Sequence, residues 1–337
     1  MESSFIKELQ RHLKTSENIV VLTHHNPDGD AVGSILAMWY YLKNKYNVTA
    51  MVPNNFPDFY KWMPGADSIK IANKEKQACA DLIANADMII CLDFNVPERV
   101  GALTHDLRQA KAIKVLIDHH LNPSNFFDIA YSRVETSSTA ELVYEFIEAM
   151  GDESLIDYNM AVAIYVGIIT DTGSFSHSCN YPQTYTITSK LFEKGIDAAE
   201  LQRLVFCNFS ESRLRLLGYC LSEKLTVIEK YSTAYIVITN EEMKRFHFKI
   251  GDSEGIVNYG LTMKNIKLAA LFTEKNGYVK LSLRAAGAID VDQFARKHFT
   301  GAGHKNASGA DIRKPLNESV EEFISILALY ENDLAQK

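Results

Sequence analysis

The sequence predicts an α/β protein: a doubly wound, mainly parallel sheet, then a helical connector, then a smaller α+β domain. Three observations support this prediction. Short apolar runs alternate with helical patterns in the first half, hairpin signals appear in the last third, and 337 residues are more than one domain usually needs. We expect domains over residues 1–210 and 224–337, with the connector over 211–223.

Three short, β-branched apolar runs predict buried strands in the first domain. They cover residues 18–23, 86–92 and 112–117, and each is long enough for a strand but too short for a helix. Their apolar residues are continuous rather than alternating, which is typical of strands buried on both faces of a parallel sheet. Helical patterns separate the runs, for example over 31–45.

The segment after the third run contains a helix with clear ends, over 138–150. Ser138 and Glu141 have capping-box spacing, and Gly151 stands where a C-cap glycine belongs. The next apolar run, 161–170, fits either a strand or a buried helix, because periodicity does not distinguish them.

The second domain contains hairpin signals. Residues 225–228 and 234–239 have the pattern of a strand pair, and the runs 266–273 and 278–284 flank an Asn-Gly turn sequence. The last of these strands alternates, and its polar face carries Lys280, Ser282 and Arg284.

Composition excludes several classes of protein. No apolar run approaches the roughly 20 residues that a membrane span needs, and the N-terminus lacks the basic start and apolar centre of a signal peptide. Five scattered cysteines without a CxxC pair argue against a disulfide framework and a thiolate zinc site. We therefore expect a cytoplasmic protein that has no membrane partner.

The charge of the chain is negative and uneven. A net charge of −7 disfavours a protein that coats long duplex DNA. Residues 224–314 contain 15 Lys and Arg against 9 Asp and Glu, so this part carries +6 and the remainder −13. The difference suggests cation binding in the first part and anion binding in the second, with a random surface difference as the alternative.

Carboxylates and imidazoles follow each predicted strand of the first domain. In an open parallel sheet, sites form beyond the carboxyl ends of the strands, so these side chains should meet at one edge. They are His24, Asp28 and Asp30 after the first run, Asp93 after the second, Asp118, His119 and His120 after the third, and Asp171 after 161–170. A lone DGD is commonly a turn and DHH a helix cap, but the conjunction of four segments favours a site.

The residue types in this cluster indicate metal binding. Carboxylates packed together repel one another unless cations neutralise them. Mixed carboxylate and imidazole ligands suit Mn, Fe, Co or Zn better than Ca, which prefers oxygen alone. Two such ions about 3.5–4 Å apart, bridged by a carboxylate, form a centre that hydrolyses phosphate esters. The cluster therefore predicts a two-metal phosphoesterase.

Residues 299–310, FTGAGHKNASGA, predict a second site. Closely spaced glycines let a backbone approach a ligand, and a helix start after them would offer N–H groups to an anion. The residues expected to grip phosphate and base edges are Gly301, Gly303, His304, Lys305, Asn306 and the strand residue Arg284. An ordinary glycine turn with exposed His and Lys is the alternative.

Six ordered motifs span almost the whole chain. They are THHNPDGDAVGS at 23–34, LDFN at 92–95, IDHH at 117–120, TDTGSF at 170–175, SLRA at 282–285 and TGAGHKNASG at 300–309. Together they resemble the DHH phosphoesterase family, and within it the standalone bacterial nano-RNase branch, which joins a DHH domain to a DHH-associated domain of the first subtype. The chain departs from that family's GGGH and SLRS signatures at Ala302 and Ala285.

The resemblance implies a role for each residue of the two sites. One ion would be held by His24, Asp28 and Asp93, and the other by Asp30, Asp93, His119 and Asp171, with Asp93 as the bridge. His120 would stabilise the phosphate, and Asp118 would fix an imidazole. Arg284 and the glycine-rich segment would bind the terminal nucleotide.

The resemblance also implies the reaction. We expect two divalent ions, Mn²⁺ being the expected metal, and hydrolysis of RNA about two to five nucleotides long to 5′-mononucleotides. Release of phosphate from 3′-phosphoadenosine 5′-phosphate is a second expected activity. The partners would be short single-stranded RNA or DNA or nucleotides. A homodimer is an alternative to the monomer. The rivals are a cyclic or linear dinucleotide phosphodiesterase, a manganese pyrophosphatase and a catalytically silent nucleotide-binding regulator.

Overall fold

The chain folds into two compact units, each built on its own six-stranded sheet. The computed structural model describes residues 1–335. The side chains outside this description are those of Ala302, His304 and Ala335. The first unit covers Met1–Asn208 and the second begins at Phe209. In the described part of the chain, no helix is long and apolar enough to cross a membrane.

The sheet of the first unit is wholly parallel. Its strands are β1 (Asn18–Leu22), β2 (Asn47–Val52), β3 (Lys70–Ile71), β4 (Met88–Leu92), β5 (Ile113–Asp118) and β6 (Ile129–Ser132). Their order is β3-β2-β1-β4-β5-β6, with every neighbouring pair parallel. The three predicted strands are β1, β4 and β5, which lie side by side, and the chain reverses its winding direction between β1 and β4. Ligands bind at such a switch point in open α/β sheets.

Helices cover both faces of this sheet, which confirms the predicted doubly wound fold. They are α1 (Ser3–Leu13), α2 (Gly29–Leu42), α3 (Lys76–Ala84), α4 (Thr104–Gln109), α5 (Thr139–Ala149), α6 (Tyr158–Asp171), α7 (Pro182–Phe192) and α8 (Ala198–Phe206). Ile19 and Val21 of β1 belong to the core that contains α1, α2, α5 and α6, while Val20 and Leu22 belong to the core that contains α3 and α4. Burial on both faces explains why the strands are continuously apolar.

The ambiguous run 161–170 is part of a helix, α6. Asp157 begins it by accepting a hydrogen bond from the N–H of Met160, a standard N-cap contact. Every residue from Met160 to Ile169 is buried, so the helix has no polar face that a periodicity test could detect. It packs closely on α2, since a Cβ on Gly33 would lie 2.4 Å from the carbonyl oxygen of Ala163.

The predicted helix over 138–150 is confirmed as α5, with Ser138 as its cap. The Ser138 hydroxyl accepts the N–H of Glu141, but the Glu141 carboxylate does not complete a capping box. It accepts hydrogen bonds from the hydroxyls of Ser137 and Thr184 instead, at 2.5 and 2.6 Å. Gly151 follows the helix with φ of +81°, as a C-cap glycine should.

The second unit has a mixed sheet with helices around it, as predicted. Its strands are β7 (Thr226–Ile228), β8 (Thr233–Ile238), β9 (Leu268–Lys275), β10 (Tyr278–Ala285), β11 (Ala302–His304) and β12 (Ala307–Ile312), in the order β11-β12-β10-β9-β8-β7. Its helices are α9 (Glu211–Tyr219), α10 (Asn240–Arg245), α11 (Asn258–Leu261), α12 (Val291–Phe299), α13 (Leu316–Leu327) and α14 (Glu331–Ala335). Both predicted strand pairs are antiparallel, and β8 joins them by pairing with β9 in parallel.

The glycine-rich segment forms a β-hairpin, so the prediction that a helix begins directly after it is wrong. β11 and β12 pair with each other, β12 pairs with β10, and the next helix begins only at Leu316. The glycines allow close packing, because a Cβ on Gly301 would lie 2.3 Å from the carbonyl oxygen of Gly309. A Cβ on Gly303 would lie 2.4 Å from that of Ala307. The spacing of these glycines therefore fits a packing role as well as a binding role.

Candidate metal centre

The loops after β1, β4 and β5 and the end of α6 bring their acidic and histidine side chains together. Three groups have potential ligand atoms within 4.8 Å of one another: His24, Asp28 and Asp93; Asp30, His119 and Asp171; and Asp93, His119 and His120. The six residues that the family resemblance implies as metal ligands all belong to these groups. The prediction that separate strands deliver their side chains to one edge of the sheet therefore holds in the geometry.

His24 has one ring nitrogen engaged and directs the other at carboxylates. Its Nδ1 lies 3.0 Å from the carbonyl oxygen of His25, and its Nε2 lies 3.3 Å from Asp93 and 3.9 Å from Asp28. A hydrogen bond from Nδ1–H to the backbone fixes the tautomer in which Nε2 accepts a metal ion. Burial lowers the pKa of His24, but Asp93 and Asp28 outweigh it and raise the pKa above its usual value.

Asp30 is buried against the first turn of α5. Its two oxygens accept the N–H groups of Thr139 and Ala140 at 2.7 and 2.8 Å, and the hydroxyl of Ser34 lies 3.2 Å away. These N–H groups belong to the positive end of the helix dipole, which favours an anionic side chain. Burial and the nearby charges of Asp93 and Asp171 nevertheless raise the pKa of Asp30 well above its usual range.

Asp93 occupies the middle of the cluster, and its two oxygens face different histidines. Oδ2 lies 3.3 Å from Nε2 of His24, and Oδ1 lies 3.4 Å from Nε2 of His119. The backbone at Asp93 is left-handed, with φ of +65°, a conformation that is uncommon outside glycine and is found at functional sites. Burial raises the pKa of Asp93, but the hydrogen bonds to His119 and His24 outweigh it and hold the pKa well below its usual range.

His119 contacts three carboxylates through Nε2. The distances are 3.4 Å to Asp93, 3.4 Å to Asp171 and 3.8 Å to Asp30. Burial lowers the pKa of His119, but these three anions together raise it well above its usual value.

His120 differs from His119 because its Nδ1 is engaged by Asp118. Nδ1 lies 2.8 Å from Asp118 Oδ1, and the backbone N–H of His120 donates to Asp118 Oδ2 at 3.1 Å. The same Nδ1 is 3.7 Å from Asp93. A nitrogen that donates to a carboxylate cannot also ligate a metal, so this geometry favours an orienting contact between Asp118 and His120. Burial and the charge of Arg99 lower the pKa of His120.

The donor set fits divalent metal ions. The buried carboxylates of Asp30 and Asp93 and the half-buried carboxylates of Asp28 and Asp171 converge with imidazole nitrogens. Burial of several carboxylates together is unfavourable unless cations pair with them. Mixed oxygen and imidazole ligands are those of first-row transition ions.

Sequence reasoning missed three contributors to this site. Asn54 exchanges two hydrogen bonds with Asn26, at 2.7 and 2.9 Å, and so fixes the loop that carries His24 and Asp28. Thr139 donates its hydroxyl to Asp93 at 3.0 Å, and Arg99 contributes charge. Asn54 directly follows β2, so recognition of that strand would have found it by the same rule that found the others.

The residues predicted to bind the nucleotide lie in the second unit. Arg284 is half-buried on the polar face of β10, opposite Ala307 of β12, and Lys305 and Asn306 are exposed at the tip of the β11–β12 hairpin. His304 belongs to β11, but its side chain lies outside the described residues. Ala285 points into the core, so its departure from the family's serine does not alter the polar face.

Comparisons with known proteins agree with this fold. Residues 18–168 match the DHH family, N-terminal domain, and residues 232–332 match the DHHA1 domain. The crystal structure of an exopolyphosphatase-related protein from Bacteroides fragilis is 39% identical, with a TM-score of 0.93 over 99% of this chain and 98% of that chain. The chain belongs to the DHH family of phosphoesterases, which confirms the resemblance.

Two curated relatives have names that state an activity. A probable bifunctional oligoribonuclease and PAP phosphatase NrnA from Streptococcus mutans is 25% identical over 90% of this chain and 93% of its own length. The cyclic-di-AMP phosphodiesterase PdeA from Listeria monocytogenes is 23% identical over 96% of this chain. This chain spans only 49% of the length of PdeA, whereas it matches NrnA almost end to end.

Proposed function

We propose that this protein is a metal-dependent phosphoesterase that hydrolyses short oligoribonucleotides to 5′-mononucleotides and 3′-phosphoadenosine 5′-phosphate to AMP. The observation that carries the proposal is the position of Asp93, whose two oxygens face His24 and His119 at the carboxyl edge of a parallel sheet. The end-to-end match to a relative named as an oligoribonuclease and PAP phosphatase supports the substrate class.

The groups of neighbouring side chains support the ligand sets that the family resemblance implies for two ions. His24, Asp28 and Asp93 would hold one ion, and Asp30, Asp93, His119 and Asp171 would hold the other. Bound there, divalent ions such as Mn²⁺ supply Lewis-acid chemistry, because they lower the pKa of water and neutralise charge on phosphate oxygens. A bound cation would lower the raised pKa of Asp30 and of His119, because it favours the carboxylate and the neutral imidazole that ligate it.

The remaining residues of the first unit would orient the substrate. Asp118 holds the ring of His120 through Nδ1. Nε2 would face a non-bridging phosphate oxygen and would donate to it as part of the imidazolium ion, which a bound phosphate favours by its charge. Preorganised donors of this kind stabilise charge that develops during phosphoryl transfer. Asp118 would act through His120 and would not touch the substrate.

The second unit would supply the nucleotide-binding residues. We assign this role to Arg284, Gly301, Gly303, His304, Lys305 and Asn306. The guanidinium of Arg284 can form a bidentate contact with a terminal phosphate, and the exposed side chains of Lys305 and Asn306 carry donors for phosphate and base edges. The excess of Lys and Arg between residues 224 and 314 fits an anionic ligand.

Hydrolysis of cyclic dinucleotides is the second candidate function. The relative PdeA supports it by its name, but only about half of that protein corresponds to this chain. A cyclic substrate has no terminal phosphate, so the role proposed for Arg284 would be unused.

One assay distinguishes these functions. The full chain is incubated with Mn²⁺ and, separately, with labelled RNA of about two to five nucleotides and longer RNA, with 3′-phosphoadenosine 5′-phosphate, with cyclic di-AMP and with pyrophosphate. We expect turnover of the short RNAs and of 3′-phosphoadenosine 5′-phosphate, and little of the others. Preference for cyclic di-AMP would favour the second candidate, and preference for pyrophosphate would contradict both.

A further inference from the structure

Thr139, the first residue of α5, contacts two of the candidate metal-binding carboxylates at once. Its backbone N–H donates to Asp30 Oδ2 at 2.7 Å, and its hydroxyl donates to Asp93 Oδ1 at 3.0 Å. The residue is completely buried. Neither the family resemblance nor the sequence pattern gave it a role.

The hydroxyl contact favours one orientation of the Asp93 carboxylate. The terminal torsion of an aspartate is broad, so the two oxygens have no strongly preferred orientation of their own. Here Oδ1 faces His119 and the Thr139 hydroxyl, while Oδ2 faces His24. A donor on Oδ1 alone holds the carboxylate in the orientation that presents one oxygen to each group of ligands.

The position of Thr139 makes this donor rigid. Ser138 caps α5 with its own hydroxyl, so Thr139 does not serve as the cap. Thr139 occupies the first helical position, where its β-branched side chain has few rotamers. The backbone N–H groups of Thr139 and Ala140 bind Asp30, which ties the helix start to the second group of ligands.

We propose that Thr139 is a positioning residue of the metal centre: its hydroxyl orients Asp93 so that this carboxylate bridges two ions. This inference rests on the proposed metal-dependent function and deepens it. Thr139 would touch neither metal nor substrate, and would act through Asp93 as an outer-shell partner does.

Four variants separate this role from a general packing role. Thr139→Val removes the hydroxyl at nearly constant shape, Thr139→Ala removes it without overpacking if valine prevents folding, and Thr139→Ser keeps it. Thr136→Val is the matched control, because Thr136 is buried three residues earlier and its hydroxyl has no hydrogen-bond partner in the described part of the chain. Thermal unfolding of the metal-free proteins shows which variants fold.

The readouts are Mn²⁺ affinity without substrate, by calorimetric titration, and the electron paramagnetic resonance signal of coupled Mn²⁺ pairs. Loss of an outer-shell partner typically weakens metal binding about 10–100-fold, so we expect that loss and a weakened pair signal in Thr139→Val and Thr139→Ala. Thr139→Ser and Thr136→Val should bind as the wild type does.

Three results would overturn the inference. Wild-type affinity and pair signal in both Thr139→Val and Thr139→Ala would show that the hydroxyl does not orient Asp93. Equal losses in Thr136→Val or Thr139→Ser would show that the effect is one of packing. A wild-type protein that binds no Mn²⁺ would overturn the proposed function itself, and this inference with it.

Discussion

Asp93 lies in the middle of the candidate metal centre and joins its two histidines through one carboxylate. Its left-handed backbone, its burial and its contacts with His24, His119 and Thr139 each constrain it. A conformation of this kind has a free-energy cost of about 1–3 kcal/mol and persists where the surroundings over-determine it. The sequence predicted the convergence of Asp93 with the histidines because each follows an apolar run. It could not predict Thr139, whose contact depends on where α5 begins relative to β4.

At the residue scale, Arg284→Ala tests whether the second unit binds the nucleotide while the first unit hydrolyses the phosphate ester. Loss of a charge-assisted contact to phosphate, about 1.5–3 kcal/mol, should raise the KM for a dinucleotide roughly 10–100-fold. The turnover of a small artificial phosphate ester, which has no nucleoside to bind, should change little. Arg313→Ala serves as the control, with the kinetics of both substrates measured. Arg313 is an exposed arginine directly after β12. Equal losses on both substrates would show that Arg284 acts on the reacting phosphate instead.

At the scale of secondary-structure elements, burial decided which elements the sequence could predict. β1, β4 and β5 are mostly buried and apolar, so their sequences identify them. β2 begins with exposed and half-buried residues, β3 has only two residues, and β6 is mostly half-buried, so none has a clear pattern. The glycine-rich segment was ambiguous for another reason: its glycines suit a turn before a helix as well as the tightly packed hairpin that forms.

A capping box provides a prediction at the scale of a single helix, α10. Thr239 and Glu242 cap it reciprocally, and the Glu242 carboxylate also accepts hydrogen bonds from Tyr219 and Lys224. Burial raises the pKa of Glu242, but these hydrogen bonds outweigh it and lower the pKa from 4.5 to about 2. Because the folded-state pKa is the lower one, the stabilisation is present above pH 4.5 and is lost as the pH falls toward about 2.

Glu242→Gln keeps an oxygen for the cap contact but loses the negative charge that Lys224 and Tyr219 donate to, so it should destabilise the protein at pH 7 by about 1 kcal/mol. The difference in the free energy of unfolding between the variant and the wild type should shrink as the pH falls from 4.5 toward 2. Urea unfolding followed by circular dichroism at several pH values measures it, with the exposed neighbour change Glu241→Gln as the control. A difference that stays constant, or grows in acid, would contradict this account of α10.

At the scale of the whole molecule, strand order determines where the site forms. β1 and β4 are neighbours because the chain winds away from β1 in one direction through β2 and β3 and then returns to its other side. That reversal brings the loops of His24 and Asp93 together, with His119 delivered from β5 next to them. The fold and the membership of the cluster could be predicted from the sequence. The contacts that orient each ligand depend on packing between helices and could not be.

The central claim is that one cluster holds two ions with Asp93 between them. Titration of the purified full chain with Mn²⁺, without substrate, tests it most directly when the bound metal is counted by equilibrium dialysis and the Asp93→Ala variant is measured in parallel. We expect two ions per wild-type chain and loss of paired binding in the variant. One ion or none per wild-type chain, or two ions per chain in Asp93→Ala, would contradict the claim.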